Sequence, residues 1–245
     1  DVKIDKGTPI LNEGAPAVQK LTSALIVDDS AEMEVIVTNA DYEEFTSVFM
    51  LPSKGNLLRT VDPATVPYLE GDVYLQDAFY PGNLASLDEA YVQGQYRGQS
   101  LHFFPVQYNP VTHVMRVYSN IEVDVVPTET PGVNPLPSVV PSAINVTMND
   151  VYSSRFLNYQ ENANRYDQVS ELGNILVISD AEYFEELEPW VQWKKEMGFP
   201  TEVVDVAGMN SINAISNFIE DYYNSNGLTY VVFVGDEDQV PVELV

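Results

Sequence analysis

Hydrophobic and polar positions follow two rhythms along the chain, and the change between them falls near residue 126. Before it, Met33 to Thr38 (MEVIVT) and Ile121 to Val126 (IEVDVV) alternate, the period of a half-buried strand. Ser100 to Val106 and His113 to Ser119 add β-branched and aromatic runs of strand length. Turn chemistry separates them: Pro-Ser-Lys-Gly at 52–55, Tyr-Pro-Gly-Asn at 80–83, and Tyr-Asn-Pro-Val-Thr at 108–112, the last predicting a hairpin. Many short strands without a helical period predict an all-β antiparallel sandwich or barrel over residues 1–126.

Prolines 127, 131, 135, 137 and 141 then crowd one short stretch, a composition that argues against helix and central strand and marks residues 127–143 as a linker. Within 144–165, Met148 to Asn158 places Val151, Tyr152, Phe156 and Leu157 on one helical face, with Asn149 or Asp150 as N-cap, which predicts a short docking helix. From 166 to 245 the pattern is α/β: strand 175–179, helix 183–197, strand 201–206, helix 211–223 and strand 230–234. Gly198 and Gly227 stand where helices stop. This βαβαβ order predicts a parallel three-strand sheet, and an open sheet that small is expected to be completed by strands beyond Val245.

Charge narrows the partners. Thirty-seven acidic residues against 11 basic ones give a net charge of -26, which repels nucleic acid and anionic membranes. The chain has no cysteine, so it holds no thiol nucleophile, disulfide or cysteine-based zinc site. No stretch reaches the roughly 20 apolar residues of a membrane span. The Asp1 start has neither Met nor a signal-peptide pattern, as expected of a processed or trimmed amino terminus.

The candidate chemistry is sparse. His102 and His113 both fall on predicted strands, away from any serine-aspartate or metal-binding spacing, and read as paired, structural or solvent-facing. Glu182, Glu185, Glu186 and Glu188 complement the positive end of a helix and face water. After the first α/β strand, Ser179-Asp180-Ala181-Glu182 replaces a glycine-rich loop and would repel phosphate. At the third strand, Gly235-Asp236-Glu237-Asp238 gathers carboxylates that suit calcium chemically, or form an ordinary acidic turn.

Short strings along the whole chain resemble one family. Lys6 to Leu11 (KGTPIL), Pro52 to Gly55 (PSKG), Phe79 to Asn83 (FYPGN), Arg97 to Gln99 (RGQ) and Gln107 to Thr112 (QYNPVT) look like the prodomain of gingipain-type cysteine peptidases. Trp193-Lys194, Gly198, Thr201 to Val203 and Leu228 to Pro241 (LTYVVFVGDEDQVP) resemble the first part of that family's caspase-like catalytic domain. The resemblance implies the amino-terminal part of a secreted or cell-surface bacterial zymogen. Its all-β prodomain would inhibit its own catalytic domain and assist its folding, and the parent enzyme would act on proteins and peptides. The family's catalytic cysteine and histidine have no counterpart here and are expected beyond Val245, so the chain alone is expected to be inactive.

The resemblance also places roles on residues. Maturation is expected between Arg165 and Tyr166, and Arg59, in another turn-rich segment, is a secondary candidate. The loop Gly71 to Gly82 (GDVYLQDAFYPG) resembles the family's cleft-facing loop, with Tyr74, Asp77, Ala78 and Phe79 as the candidate inhibitory residues. It has no basic side chain for a guanidinium-binding pocket, which leaves steric occlusion or a different specificity. Asp236 matches a position used for structural calcium, whose other ligands would lie downstream. Two other classes use the same residues: an adhesive or carbohydrate-binding sandwich stacking on Tyr68, Tyr74, Tyr80, Tyr91 and Tyr96, and a receiver-like domain built on Asp180, Asp205 and Asp236.

Overall fold

The computed structural model describes residues 3–137 and 143–242. They divide into two compact units, the first holding residues up to 137 together with Ser154–Asn162, the second holding residues 143–153 and those from 163 onward. The centre of the expected linker, Pro141 included, lies outside the described residues.

The first unit is mostly β. Strands β1 (Thr8–Pro9), β2 (Gln19–Ile26), β3 (Ala31–Phe45), β4 (Ala85–Leu87), β5 (Tyr91–Gln93), β6 (Tyr96–Phe103), β7 (Val106–Asn109) and β8 (Val114–Pro131) pair antiparallel throughout. They make two open sheets, β1-β2-β6-β4 with β5 also on β6, and β3-β8-β7; no barrel closes. Val18, Val106, Tyr108 and Met115 form a buried core against which Met50, Tyr74, Tyr80 and Val117 pack. The predicted hairpin is present, β7 pairing with β8 across residues 110–113. At Gly98 a Cβ would lie 2.7 Å from the Phe156 ring, so only glycine lets that ring rest on β6.

The two predicted strands 113–119 and 121–126 are one, and it continues through Pro127 to Pro131 into the stretch assigned to the linker. Past Tyr118, β8 has only β3 beside it among the described residues, with Met33 opposite Pro127 and Ala31 opposite Pro131. A one-sided strand tolerates proline, because the missing N–H is not needed on its open side.

In the second unit, β9 (Ala143–Asn145) runs into α1 (Val146–Arg155), after which α2 (Tyr159–Asn162) belongs to the first unit. The cap of α1 is Asn145, whose Oδ1 accepts the Met148 amide at 2.9 Å, rather than Asn149 or Asp150. Nor does the helix reach Asn158: the Leu157 amide donates to Ala24 on β2, which draws the chain out of helix and leaves Leu157 exposed while Phe156 is buried.

Strand β10 (Asp167–Val169) pairs parallel with β9. Then β11 (Ile175–Ser179), α3 (Phe184–Glu196), β12 (Thr201–Asp205), α4 (Ile212–Asn226) and β13 (Tyr230–Val234) follow the expected rhythm. Strand β11 lies between β12 and β13, parallel to both, and all five of its residues are buried. Leu176 and Ile178 join Val206, Ile215 and Val240 in the core. Gly198 and Gly227 take positive φ at the helix ends, as the sequence requires.

Candidate functional site

Arg165 closes a single 3-10 turn, Ala163–Arg165, and is exposed, with its guanidinium 5.8 Å from the Tyr166 ring. Upstream, α2 is anchored by the buried Tyr159 and by the Asn162 carbonyl, which accepts from Tyr96 at 3.1 Å. Downstream, β10 is fixed by its ladder to β9. Arg165–Tyr166 is therefore a short polar connection between two anchored elements, accessible to a protease that needs only local backbone release. Arg59 is also exposed, within a segment whose residues 58–65 are all exposed.

The loop 71–82 is braced from below. Tyr74 donates its hydroxyl to the Met50 carbonyl at 2.6 Å, and burial pushes that phenol up to about 12. Asp77 accepts from the buried Asn109 at 2.9 Å, and Asn109 also holds the Val111 and Thr112 amides of the hairpin turn. Phe79 lies under the Arg116 guanidinium, 3.9 Å from ring to carbon. Tyr80 exchanges two backbone bonds with Tyr108, and Gln107 donates to the Pro81 carbonyl at 2.6 Å.

Of the four candidates, then, Tyr74 and Phe79 are inward anchors, Asp77 is tied back, and Ala78 is presented. The large apolar side chain most displayed among the described residues is Leu75, at 82% exposure, which the sequence did not single out. Phe49 at 79% and Leu51 flank Met50, to whose carbonyl Tyr74 is bonded, so large apolar groups are displayed from neighbouring segments. Their signal was an alternation, Val48 and Met50 packed on the core with Phe49 and Leu51 outside.

Of the two histidines, His102 lies on a strand as expected and His113 does not. His102 is buried on β6 with Nε2 at 2.7 Å from Asp88 and Nδ1 at 2.8 Å from the Thr22 hydroxyl, a carboxylate pairing the sequence spacing did not reveal. His113 lies in the β7–β8 turn at φ 56, not on a strand, and stacks on Phe49 at 4.5 Å.

The acidic strand ends have local work. Asp180 accepts the Glu182 amide, Asp205 the Ala207 amide and Asp236 the Asp238 amide, each near 3 Å, so each carboxylate turns the chain after its strand. Asp236 also receives Gln239 and Val240 on its carbonyl, beside an open apolar cavity of about 390 Å³ lined by Ile212, Ile215, Ile219 and Phe233. Calcium takes six to eight oxygens. Among the described residues no three His, Cys, Asp or Glu side chains converge, so this donor set does not by itself fit the ion.

Comparison with known proteins accounts for both units. Residues 2–166 match the family model Propeptide_C25 and residues 169–243 match Peptidase family C25. Gingipain R2 of Porphyromonas gingivalis strain W83 is 36% identical over 246 residues, covering 98% of the chain and 33% of that protein. Lys-gingipain of the same species is 27% identical over 267 residues, covering 99% of the chain and 15% of the relative. The chain thus spans about a third or less of the length of the curated relatives it matches. Among solved structures, the complex of Porphyromonas gingivalis RgpB pro- and mature domains aligns with TM-score 0.59 and 34% identity over 64% of this chain and 78% of that one. With a family model over most of its length and a relative above 30% identity across nearly all of it, the chain belongs to the gingipain family of C25 cysteine peptidases, as a propeptide joined to the start of the peptidase domain.

Proposed function

We propose that residues 2–166 are the built-in inhibitor and folding aid of the peptidase domain that begins near residue 169, and that maturation hydrolyses the Arg165–Tyr166 bond. One observation carries the reading: the propeptide match ends at 166, the peptidase match begins at 169, and the exposed turn ending at Arg165 stands at that junction. Hydrolysis there gives the hydroxyl of water to the Arg165 carbonyl and a proton to the Tyr166 amine. The finer architecture is part of the same proposal: a sandwich arrangement of the propeptide sheets, and a caspase-like peptidase fold around β11–β13.

The parent enzyme is read as a secreted or surface-held endopeptidase acting on proteins and peptides. The 245 residues contain no cysteine, and on this reading they do not cleave peptides by themselves. Inhibition is read as occlusion by the braced loop and the apolar groups beside it, since Leu75 to Ala78 includes no basic side chain. Arg59 is the second cut. No helix among the described residues is long and apolar enough to cross a membrane.

The test is to incubate the full chain with the mature peptidase of the same precursor and follow both partners. Amino-terminal sequencing is expected to yield a fragment starting at Tyr166, abolished by Arg165→Gln, and initial rates on a peptide substrate are expected to fall as chain is added. A wild-type chain left uncut between Arg165 and Tyr166 overturns the maturation site; unchanged rates at micromolar chain overturn the inhibitor reading.

A further inference from the structure

The segment that delivers the chain to Arg165 is bonded into the first unit. Strand β1 covers the outer edge of β2 only at Gln19 and Lys20, and residues 156–158 take the part of that edge left open. The Leu157 amide donates to the Ala24 carbonyl at 3.0 Å. The Asn158 side chain serves both backbone groups of Ile26, accepting its N–H and donating to its carbonyl, each at 2.8 Å. One carboxamide thus does for Ile26 what a neighbouring strand would do. Helix α2 follows: Tyr159 is buried edge-on against Tyr96, with ring centroids 5.9 Å apart. The Tyr96 hydroxyl donates to the Asn162 carbonyl, and Asn162 Nδ2 donates back to the Asn158 carbonyl at 2.9 Å.

We propose that residues 157–162 are a latch on the scissile bond: cleavage after Arg165 waits for this segment to lift from β2 and Tyr96, so that opening, and not the exposure of Arg165, sets the rate of processing. A peptidase cleft takes its substrate as extended backbone. The four residues before the bond are the reverse, Asn162 ending α2 and Ala163–Arg165 forming the 3-10 turn. Drawing them out into a strand lengthens the stretch by roughly 5 Å. Asn162 cannot move that far and keep its bonds to Tyr96 and Asn158. Lifting the whole latch brings Tyr159 into water and leaves the Ile26 backbone groups unpaired. Local opening of this kind is an equilibrium, and cleavage by dilute protease follows the open population. Asn158, Tyr159 and Tyr96 are therefore positioning residues for the cut, although none of them adjoins the bond.

The inference rests on the bond at 165–166 being the one processed, but trypsin, which cuts after accessible arginine, tests the latch without the natural peptidase. The full chain is treated with limiting trypsin, and loss of the Arg165–Tyr166 bond is timed against loss of the bond after Arg59, whose neighbours 58–65 are all exposed and form no part of the latch. Asn158→Ala is expected to raise the ratio of the two rates by about tenfold or more, and Tyr96→Phe, which removes only the hydroxyl bonded to Asn162, by roughly threefold. Hydrogen exchange at the Ile26 amide is expected to quicken in step in Asn158→Ala. Loss of the fold would speed both cuts alike; should Asn158→Ala do that, Tyr96→Phe decides. An unchanged ratio in the folded variants overturns the latch. Cleavage elsewhere by the natural peptidase would fail the maturation reading and leave the measured ratios standing.

Discussion

The guanidinium of Arg116 lies 3.9 Å above the ring of Phe79 and 4.7 Å from that of Tyr42, and its Nε donates to Glu44 at 2.9 Å. One side chain on β8 thus joins the loop 71–82 to two strands of the same unit. Planarity matters here, because only a flat cation stacks on two rings while keeping a directed bond to a carboxylate. Arg116→Lys is expected to keep the charge and lose the stack, speeding amide exchange in residues 76–79. Arg116→Ala is expected to do the same and to cost about 1 kcal/mol in denaturant midpoint analysis, the exposed ion pair adding little. Unchanged exchange in both variants would show the loop to be held by its backbone bonds alone.

Leu75 tests whether that loop is the occluding surface. A side chain displayed so fully on a braced loop presents apolar area without having to order itself on binding. Leu75→Asp is expected to leave stability unchanged and to weaken inhibition of the mature peptidase by roughly tenfold or more, as for a central interface residue. Ile36→Asp, on the exposed part of β3, is the control expected to inhibit as wild type does. Equal inhibition constants for all three proteins would move the contact surface away from the loop.

How far the sequence reached depended on whether the signal was local. The run Ile175 to Ser179 is buried throughout, so its near-continuous apolar character was a local signal and its bounds were readable to the residue. Strand β8 was not, because proline content signals a linker unless one knows that past Tyr118 the strand is paired with β3 alone among the described residues. Asn145 was passed over as a cap because the apolar pattern begins later than the helix does. Arg165 was singled out by the family resemblance, in a stretch whose polarity fits the exposure observed. The bracing of the loop was not: Phe79 with Arg116 and Asp77 with Asn109 are pairs distant in sequence, joined only by the hairpin that carries Asn109.

Arg97 belongs to that hidden class. It is 1% exposed and satisfied almost wholly by carbonyls: Nη1 donates to Asp28 and Ala31 at 2.6 and 2.8 Å, Nη2 to Val133, and Nε to Val133 and Asn134. The Asp28 carboxylate meanwhile serves the Ser30 and Ala31 amides, which hold it below the usual carboxylate range. Arg97→Met is expected to leave several part-buried carbonyls without their donor and to cost about 3 kcal/mol or more. Gly132→Ala is expected to be comparably harmful, since its Cβ would strike the same guanidinium and approach the Ala31 carbonyl to 2.6 Å. Urea midpoints check both; a loss under about 1 kcal/mol for Arg97→Met would mean water replaces the lost donors.

Tyr74 gives a pH signature to the loop's foundation. Burial raises its phenol to about 12 from the ordinary 10, with the neighbouring Tyr108 and Glu70 pushing the same way. Between those values the unfolded chain releases the proton and the folded chain keeps it. The contribution is therefore whole below pH 10 and is lost as pH rises through the folded value. Other tyrosines with raised values make the wild type lose stability over the same range, so the comparison must be with Tyr74→Phe. That variant is expected to lose stability less steeply between pH 10 and 12, read from urea midpoints at half-unit steps, and parallel curves would remove Tyr74 from the account.

At Asp236 the competing readings separate cleanly. As a turn cap, its carboxylate Oδ1 accepts the Asp238 amide at 3.0 Å while the Asp236 amide donates to Gln239. Asn has the same acceptor geometry, so Asp236→Asn is expected to be nearly neutral, and Asp236→Ala to cost about 1 kcal/mol. Both effects are expected to be the same with millimolar calcium as with chelator. Binding to the native state alone would stabilise it by mass action, so an ion held tightly by this chain would lift the wild-type melting temperature and leave both variants behind. A calcium-dependent gap between wild type and Asp236→Asn would return this carboxylate to the role of ligand, with the rest of the shell supplied from outside the described residues.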